Sequence, residues 1–148
     1  MGRSGGVGGG EGIFGRESTV AALSRAALGA PVVRAVADGA DHWRELFVVA
    51  ELDGTVLEGY IDLLVRTPDG LVIVDYKTDH FGREGDRAER LARYRFQLAA
   101  YGLALGQVLA EPVVGGILVH CRPDGPAEQL DVPDWLGALA AVRAPVLR

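Results

Sequence analysis

Between residues 43 and 77, three consecutive segments have the length and the aliphatic and β-branched composition of β-strands. Leu46, Val48 and Ala50 alternate with Phe47, Val49 and Glu51 in the first, and residues 71–74 form a continuous apolar run in the third. Asp53-Gly54 separates the first two segments, and Thr67-Pro68-Asp69-Gly70 separates the second from the third. Both sequences favour tight turns. The pattern therefore predicts three successive strands, with a β-hairpin over Glu58–Thr78 as the central stretch of the chain.

A helical period follows the hairpin. Ala88–Leu105 is the strongest predicted helix and Gly106 is expected to end it; its apolar stripe consists of Leu91, Tyr94, Leu98, Tyr101 and Leu105. A further strand is predicted at Pro112–Cys121, and shorter helices are predicted at Ser18–Leu28, Pro31–Ala37 and Val132–Ala141. This order predicts an α/β fold, with a mixed central sheet of about four strands flanked by helices.

Three charged residues interrupt the apolar hairpin: Asp62, Asp75 and Lys77. If the four turn residues form the loop, Arg66 pairs with Leu71 and Asp62 lies opposite Asp75. A three-residue loop with a bulge at Gly70 would instead place the two acids on different faces. Directly opposed carboxylates repel one another, so a bound divalent cation, which prefers oxygen ligands, is the simplest reason for the first arrangement.

Lys77 is the only lysine in the chain. Apart from the histidines, every other basic residue is arginine. An ammonium group is a compact point charge that can orient a water molecule or stabilise a developing negative charge. The alternative is a simple salt bridge between Lys77 and Asp75 or Asp79. The presence of Asp62 at the matching position of the preceding strand favours the catalytic interpretation.

Three motifs together resemble a known family: G-Y-I-D at 59–62, D-Y-K-T at 75–78 and R-Y-R-F-Q-L-A-A-Y at 93–101. They are similar to the PD-(D/E)XK nuclease superfamily, and within it to the RecB-like nuclease domain at the C-terminus of UvrD/AddA-type helicase-nucleases. The resemblance covers roughly Arg44 to Leu105. It implies a restriction-endonuclease-like fold with the same order of strands and helix.

The resemblance also implies roles for individual residues. Asp62 and Asp75, with the main-chain carbonyl of Tyr76, would bind Mg²⁺ or Mn²⁺, and Lys77 would be the catalytic lysine. Two helix residues, Gln97 and Tyr101, would border the site and position DNA. The implied function is a divalent-metal-dependent DNA nuclease, exonucleolytic on single strands, that acts in double-strand-break repair and recombination with a UvrD-like helicase in cis or in trans.

The chain departs from the family in one motif. The family has an upstream helix with a G-x-x-x-H segment, which is missing here, and His42 is too close to the first strand to replace it. Cys121 is the only cysteine, so no iron–sulfur cluster is expected, and no P-loop motif is present for a nucleotide. The alternative function is a truncated or inactive nuclease module that binds DNA ends or assembles a complex.

Composition adds limits to these expectations. The 148 residues predict a glycine-rich disordered segment at 1–16 and a nuclease-like domain at 17–148, the C-terminal portion of a longer helicase-nuclease. The net charge of −5 is unusual for a strong free-standing DNA-binding protein. No apolar run of about 18 residues and no signal peptide are found, so no membrane association is expected and the predicted location is the cytoplasm.

Several other charged residues are weaker candidates. Glu45 and Glu58 lie on predicted strands, where a solvated strand position is the alternative interpretation. Four arginines of the helical region form its most basic part and would face either solvent or a phosphate backbone: Arg87, Arg90, Arg93 and Arg95.

Overall fold

The computed structural model describes residues 11–79 and 84–143. The elements follow one another in the order α1 (Glu11–Leu28), α2 (Pro31–Ala37), β1 (His42–Leu52), β2 (Thr55–Thr67), β3 (Gly70–Lys77), α3 (Glu84–Val108), β4 (Val113–His120), β5 (Glu128–Asp131) and α4 (Trp135–Arg143). The strands described form one sheet in the order β1-β2-β3-β4-β5. Strands β3 and β4 are parallel, since α3 connects them, and the other neighbours are antiparallel. The predicted mixed α/β fold is confirmed.

The register of the central hairpin is the one that places the two acids opposite each other. Arg66 pairs with Leu71, and Thr67 pairs with Gly70, whose φ of 142° is a conformation that glycine adopts easily. The hydroxyl of Thr67 donates a hydrogen bond of 2.8 Å to the carbonyl of Gly70. The alternative three-residue loop is therefore wrong, and the ladder runs from the turn to the pair Leu63–Val74.

The sheet is buried on both faces, which gives the domain two layers of core. Helices α3 and α4 cover one face, where the buried side chains include Leu64, Leu71, Ile73, Leu98, Ala104, Leu118 and Trp135. Helix α2 covers the other face, where they include Val33, Val36, Leu63, Val65, Val72, Val74 and Val119. Each large apolar side chain that is fully buried stabilises the fold by about 1.5–3 kcal/mol, so the hairpin is held rigidly from both sides.

Helix α1 is longer than predicted. It begins at Glu11 rather than Ser18, so residues 11–16 are helical and do not belong to a disordered segment. Helix formation is cooperative, and the alanine-rich run after Ser18 extends the helix across Gly12 and Gly15 although each glycine costs about 1 kcal/mol. Residues 1–10 lie outside the described residues, so disorder there and the domain boundary at residue 17 stay predictions.

Helix α3 also exceeds its prediction at both ends. It begins at Glu84 and continues through Gly106 to Val108. Glycine ends a helix when it adopts a positive φ, whereas the described glycines with positive φ are Gly39, Gly54 and Gly70. Because Gly106 keeps helical geometry, the main-chain N–H of Leu109 still donates to the carbonyl of Leu105 at 2.9 Å.

The C-terminal part contains a strand that the sequence pattern does not predict. Strand β5 pairs with β4 at the edge of the sheet, so the described sheet has five strands rather than about four. Its four residues are too few to show a period of two. Helix α4 then begins at Trp135 rather than Val132, because the carboxylate of Asp134 accepts a hydrogen bond of 3.1 Å from the main-chain N–H of Gly137 and so caps the first turn.

Among the helices that the structure describes, none has the length and apolar character needed to cross a membrane.

Adjacent glycines on β4 give a matched test of the packing between the sheet and its helices. A Cβ at Gly116 would lie 2.9 Å from Cζ3 of Trp135 and 3.2 Å from Cγ2 of Val132, whereas a Cβ at Gly115 would come no closer than 4.0 Å to Val72. We expect Gly116→Ala to lower the free energy of unfolding by about 1–3 kcal/mol, the usual cost of overpacking a core. Urea denaturation of both variants checks this, and an equal effect of Gly115→Ala would contradict the described packing.

Candidate active site

Asp75 and Lys77 lie at the end of β3, on the face covered by α3. Their side chains share this face because they are two residues apart, and Nζ of Lys77 is 2.7 Å from Oδ2 of Asp75. Both side chains are mostly buried, with 17% of Asp75 and 19% of Lys77 exposed. On the parallel neighbour β4, Leu118 is beside Asp75 and His120 is beside Lys77.

Asp62 lies where β2 changes its alternation of side chains. Ile61 packs on the α3 face and Leu63 packs on the α2 face, although residues two apart in a regular strand share a face. On β1, Glu45 has a φ of 48°, and the ladder between β1 and β2 omits the Glu45–Asp62 pair. This irregularity directs Asp62 toward β3, where its Oδ2 accepts a hydrogen bond of 2.9 Å from the main-chain N–H of Tyr76.

The proximity of the two carboxylates raises the energy of the ionised site. Burial is the largest cause of a raised pKa at Asp75, the Lys77 ammonium opposes it, and the neighbouring Asp62 carboxyl adds to it, so that the pKa rises from its ordinary 3.8 to about 6. Oδ2 of Asp75 has no hydrogen bond of good geometry within the described residues, and its close partner is the ammonium of Lys77. The site therefore holds more negative charge than its lysine compensates.

This pair of carboxylates fits a divalent cation. A Mg²⁺ ion is commonly bound through one or two carboxylates, with water and substrate phosphate as its remaining ligands. Across residues 11–79 and 84–143, no group of three or more acidic, histidine or cysteine side chains forms a metal site. The other ligands of a cation between Asp62 and Asp75 would therefore be water, phosphate or main-chain oxygens, and the carbonyl of Tyr76 stays a prediction.

Helix α3 contributes a side chain that the sequence pattern assigns only to the core. The Nζ of Lys77 lies 4.1 Å from the centre of the Tyr94 ring, and the Tyr94 hydroxyl donates a hydrogen bond of 2.8 Å to Oδ2 of Asp79. Nη1 of Arg90 donates to the same oxygen at 2.7 Å. In the sequence, Arg90 and Tyr94 are four residues apart and so share one helix face, which is the pattern that could have indicated their shared contact with Asp79.

The two predicted helix residues have different surroundings. Tyr101 is only 8% exposed and belongs to the core, and its hydroxyl oxygen would be 2.1 Å from a Cβ placed at Gly59. The position therefore requires glycine beneath the ring. Gln97 is exposed on α3, one turn beyond Tyr94. Their contribution to positioning DNA stays a prediction.

A groove of about 760 Å³ opens between helices α1 and α2 and the sheet. Five residues at its sheet side are polar or aromatic: Arg44, Glu45, Asp62, Tyr76 and Thr78. Asp62 can thus be reached from this side, and Glu45, a weaker candidate from the sequence, lies next to it. Glu58, the other such candidate, is an exposed strand residue.

The arginines of α3 are largely engaged within the chain. Arg87 pairs with Glu128 at 2.9 Å, Arg90 pairs with Asp79, and Arg95 donates hydrogen bonds of 3.1 Å to the main-chain carbonyls of Pro133 and Asp134. These three arginines therefore fasten the helix to neighbouring segments. Arg93 is exposed on the same helix.

Comparison with known proteins gives one family and several relatives. The model of a family described as the PD-(D/E)XK nuclease superfamily matches residues 13–134. The chain is similar to an ATP-dependent helicase/nuclease subunit of Desulforudis audaxviator, with 51% identity over 59 residues, which are 39% of this chain and 5% of that protein. The protein of the same description from Levilactobacillus brevis is 40% identical over 72 residues, 46% of this chain and 6% of that protein.

A longer match is found with the ATP-dependent helicase/nuclease subunit of the same description from Clostridium perfringens, which is 28% identical over 102 residues, 58% of this chain and 8% of that protein. These matches thus span only 5% to 8% of the length of the three relatives. Among solved structures, the crystal structure of SSO0001 aligns with 86% of this chain and 56% of that chain, with a TM-score of 0.47 and 16% identity.

The raised pKa of Asp75 predicts how stability depends on pH. The folded chain holds this proton more tightly than the unfolded chain, so the stability contributed by protonated Asp75 is lost as the pH rises from about 3.8 to about 6. Asparagine resembles the protonated acid. Without divalent cations, we expect Asp75→Asn to be more stable than wild type by on the order of 2 kcal/mol at about pH 8, with no difference at about pH 4.

Urea denaturation at the two pH values measures this effect. Asp124→Asn, in the exposed loop after β4, is the matched control and should leave stability unchanged at both. A loss of stability in Asp75→Asn at about pH 8 would show that the carboxylate stabilises the fold and would contradict the described electrostatics.

Proposed function

The chain belongs to the PD-(D/E)XK nuclease superfamily, and we propose that it hydrolyses phosphodiester bonds of DNA in a reaction that depends on Mg²⁺ or Mn²⁺. The observation that carries this proposal is the cluster of Asp62, Asp75 and Lys77 on β2 and β3. Two carboxylates whose charge is only partly compensated and one ammonium at the same place are suited to bind a cation and a phosphate together.

We assign the cation to Asp62 and Asp75, together with the main-chain carbonyl of Tyr76. When bound, the cation would act as a Lewis acid that polarises the scissile phosphate. The hydrogen bond from the Tyr76 N–H keeps one oxygen of Asp62 in place, so the Asp62 carboxylate is oriented before any ligand arrives. The cation would also offset the effects of burial and of the neighbouring Asp62, which both raise the pKa of Asp75.

Lys77 is the proposed catalytic lysine. Its ammonium is fixed 2.7 Å from Asp75, and its remaining N–H groups can donate to a phosphate oxygen or to the attacking water. A partly buried ammonium stabilises developing negative charge more than one in bulk water does, because screening is weaker there. The lysine therefore serves the transition state rather than general surface charge.

We propose single-stranded DNA as the substrate, cut exonucleolytically and delivered by a UvrD/AddA-type helicase motor in cis or in trans. The relatives are described as subunits of an ATP-dependent helicase/nuclease, which is the support for the motor. The proposed role in repair of double-strand breaks and recombination follows from the resemblance of the three motifs to helicase-nucleases. The net charge of −5 agrees with a partner that supplies much of the DNA contact. No bound nucleotide and no iron–sulfur cluster are part of this proposal, and the cytoplasm is its proposed location.

A second candidate is an inactive nuclease module that binds DNA ends or assembles a repair complex. The pairing of Arg87, Arg90 and Arg95 within the chain favours it, because paired arginines offer less positive charge to a phosphate backbone. The opposed carboxylates argue against it, because they destabilise a fold that has no use for a cation.

Replacement of the lysine separates the two candidates. We expect Lys77→Met, which keeps much of the side-chain length without the charge, to reduce metal-dependent cleavage of end-labelled single-stranded DNA at least about 100-fold, as loss of a transition-state donor does. Arg34→Met, at an exposed position of α2, is the matched control and should cleave like wild type. Circular dichroism should show both variants folded.

Cleavage by Lys77→Met within a few-fold of wild type would contradict the catalytic assignment. A folded wild-type chain that cleaves neither single nor double strands with Mg²⁺ or Mn²⁺ would favour the inactive module.

A further inference from the structure

The Lys77 ammonium is held from two sides. Asp75 contacts it at 2.7 Å, and the face of the Tyr94 ring lies 4.1 Å from it. A lysine side chain has about 2 kcal/mol of rotamer entropy, so a single ion pair leaves it able to swing about its carbon chain. The second contact, made by a side chain from a different element, restricts that motion.

The Tyr94 ring is itself fixed by a chain of contacts. Its hydroxyl donates to Oδ2 of Asp79 at 2.8 Å, and Arg90 donates to the same oxygen at 2.7 Å. Nε2 of His120 is 2.8 Å from the main-chain oxygen of Asp79, and since a carbonyl only accepts, this nitrogen carries the proton. The segment after β3 is thus anchored to β4, and its carboxylate is anchored to α3.

We propose that Tyr94 is a positioning residue for Lys77, and that Asp79 and Arg90 hold it in that role. The ring would set the place from which the ammonium reaches the scissile phosphate. This inference rests on the nuclease function proposed above, and it deepens that function by adding residues outside the D-Y-K-T motif and the Gln97–Tyr101 pair.

An aromatic ring suits this role better than a second acid. The face of a tyrosine ring attracts a cation without adding a full negative charge to a site that already contains Asp62 and Asp75. The carboxylate of Asp79 accepts hydrogen bonds from Arg90 and Tyr94. Burial acts to raise the pKa of Asp79, but these two hydrogen bonds hold the pKa below its ordinary value. The ammonium therefore keeps N–H groups for the substrate.

Two substitutions separate the ring from its hydroxyl. Tyr94→Leu removes the ring and leaves an apolar side chain, whereas Tyr94→Phe keeps the ring and removes the hydrogen bond to Asp79. We expect Tyr94→Leu to lower kcat by about 10- to 100-fold with KM unchanged, the order of loss that a small displacement of a catalytic group causes. Tyr94→Phe should retain most of kcat. Phe47→Leu, at an exposed aromatic residue on β1 that lies outside the three motifs, is the matched control.

A direct readout of the contact is available because Lys77 is the only lysine. Incorporation of ¹³C-labelled lysine into the tag-free chain gives a single side-chain NMR signal set that needs no assignment. The ring current of Tyr94 should move the Hε resonances of Lys77 upfield of their position in the urea-unfolded chain. This shift should be lost in Tyr94→Leu, kept in Tyr94→Phe and unchanged in Phe47→Leu.

The inference is supported if the upfield shift and kcat fall together in Tyr94→Leu while Tyr94→Phe preserves both. It is overturned if the lysine resonances of wild type show no upfield shift, or if Tyr94→Leu cleaves with the kcat of wild type. In either case the nuclease function would stand as long as Lys77→Met is inactive. A wild-type chain without metal-dependent cleavage would contradict the proposed function, and the positioning role with it.

Discussion

The structure depends on one unfavourable interaction, the approach of two carboxylates at the end of the central hairpin. Asp62 and Asp75 are the next positions beyond Leu63–Val74, the pair at which the hairpin ladder ends, and burial leaves water little room to screen their charges. Lys77 offsets only part of this repulsion. A fold that keeps such a pair between two layers of apolar core must hold it in place by packing, which is what the buried faces of β2 and β3 supply.

Different elements around the two carboxylates orient Asp62, hold Lys77 and leave the site accessible. The irregularity at Glu45 and Asp62 turns one acid toward β3, and the main-chain N–H of Tyr76 fixes it there. On the opposite side, α3 brings Tyr94 over the lysine. The groove next to α1 and α2 leaves Asp62 accessible. Charge, orientation and access are therefore supplied by different segments of the chain.

The sequence predicted the parts that follow from local rules. The apolar runs and the Pro-Asp-Gly turn predicted the hairpin but left two registers open, and the structure shows the one in which Arg66 pairs with Leu71. The roles that depend on tertiary contacts were not predictable in this way. Tyr94 fits a helical apolar stripe equally well whether its ring packs in the core or over a lysine, and only the fold shows which. Strand β5 forms because β4 offers an edge to pair with, and its four residues carry no pattern of their own.

The most direct test of the account is calorimetric titration of Mn²⁺ or Mg²⁺ into the wild-type chain, into Asp75→Asn and into the control Asp124→Asn. The account predicts that wild type and Asp124→Asn bind the cation and that Asp75→Asn does not. Equal binding by wild type and Asp75→Asn, or no binding by the folded wild-type chain, would contradict the claim that the opposed carboxylates form a cation site.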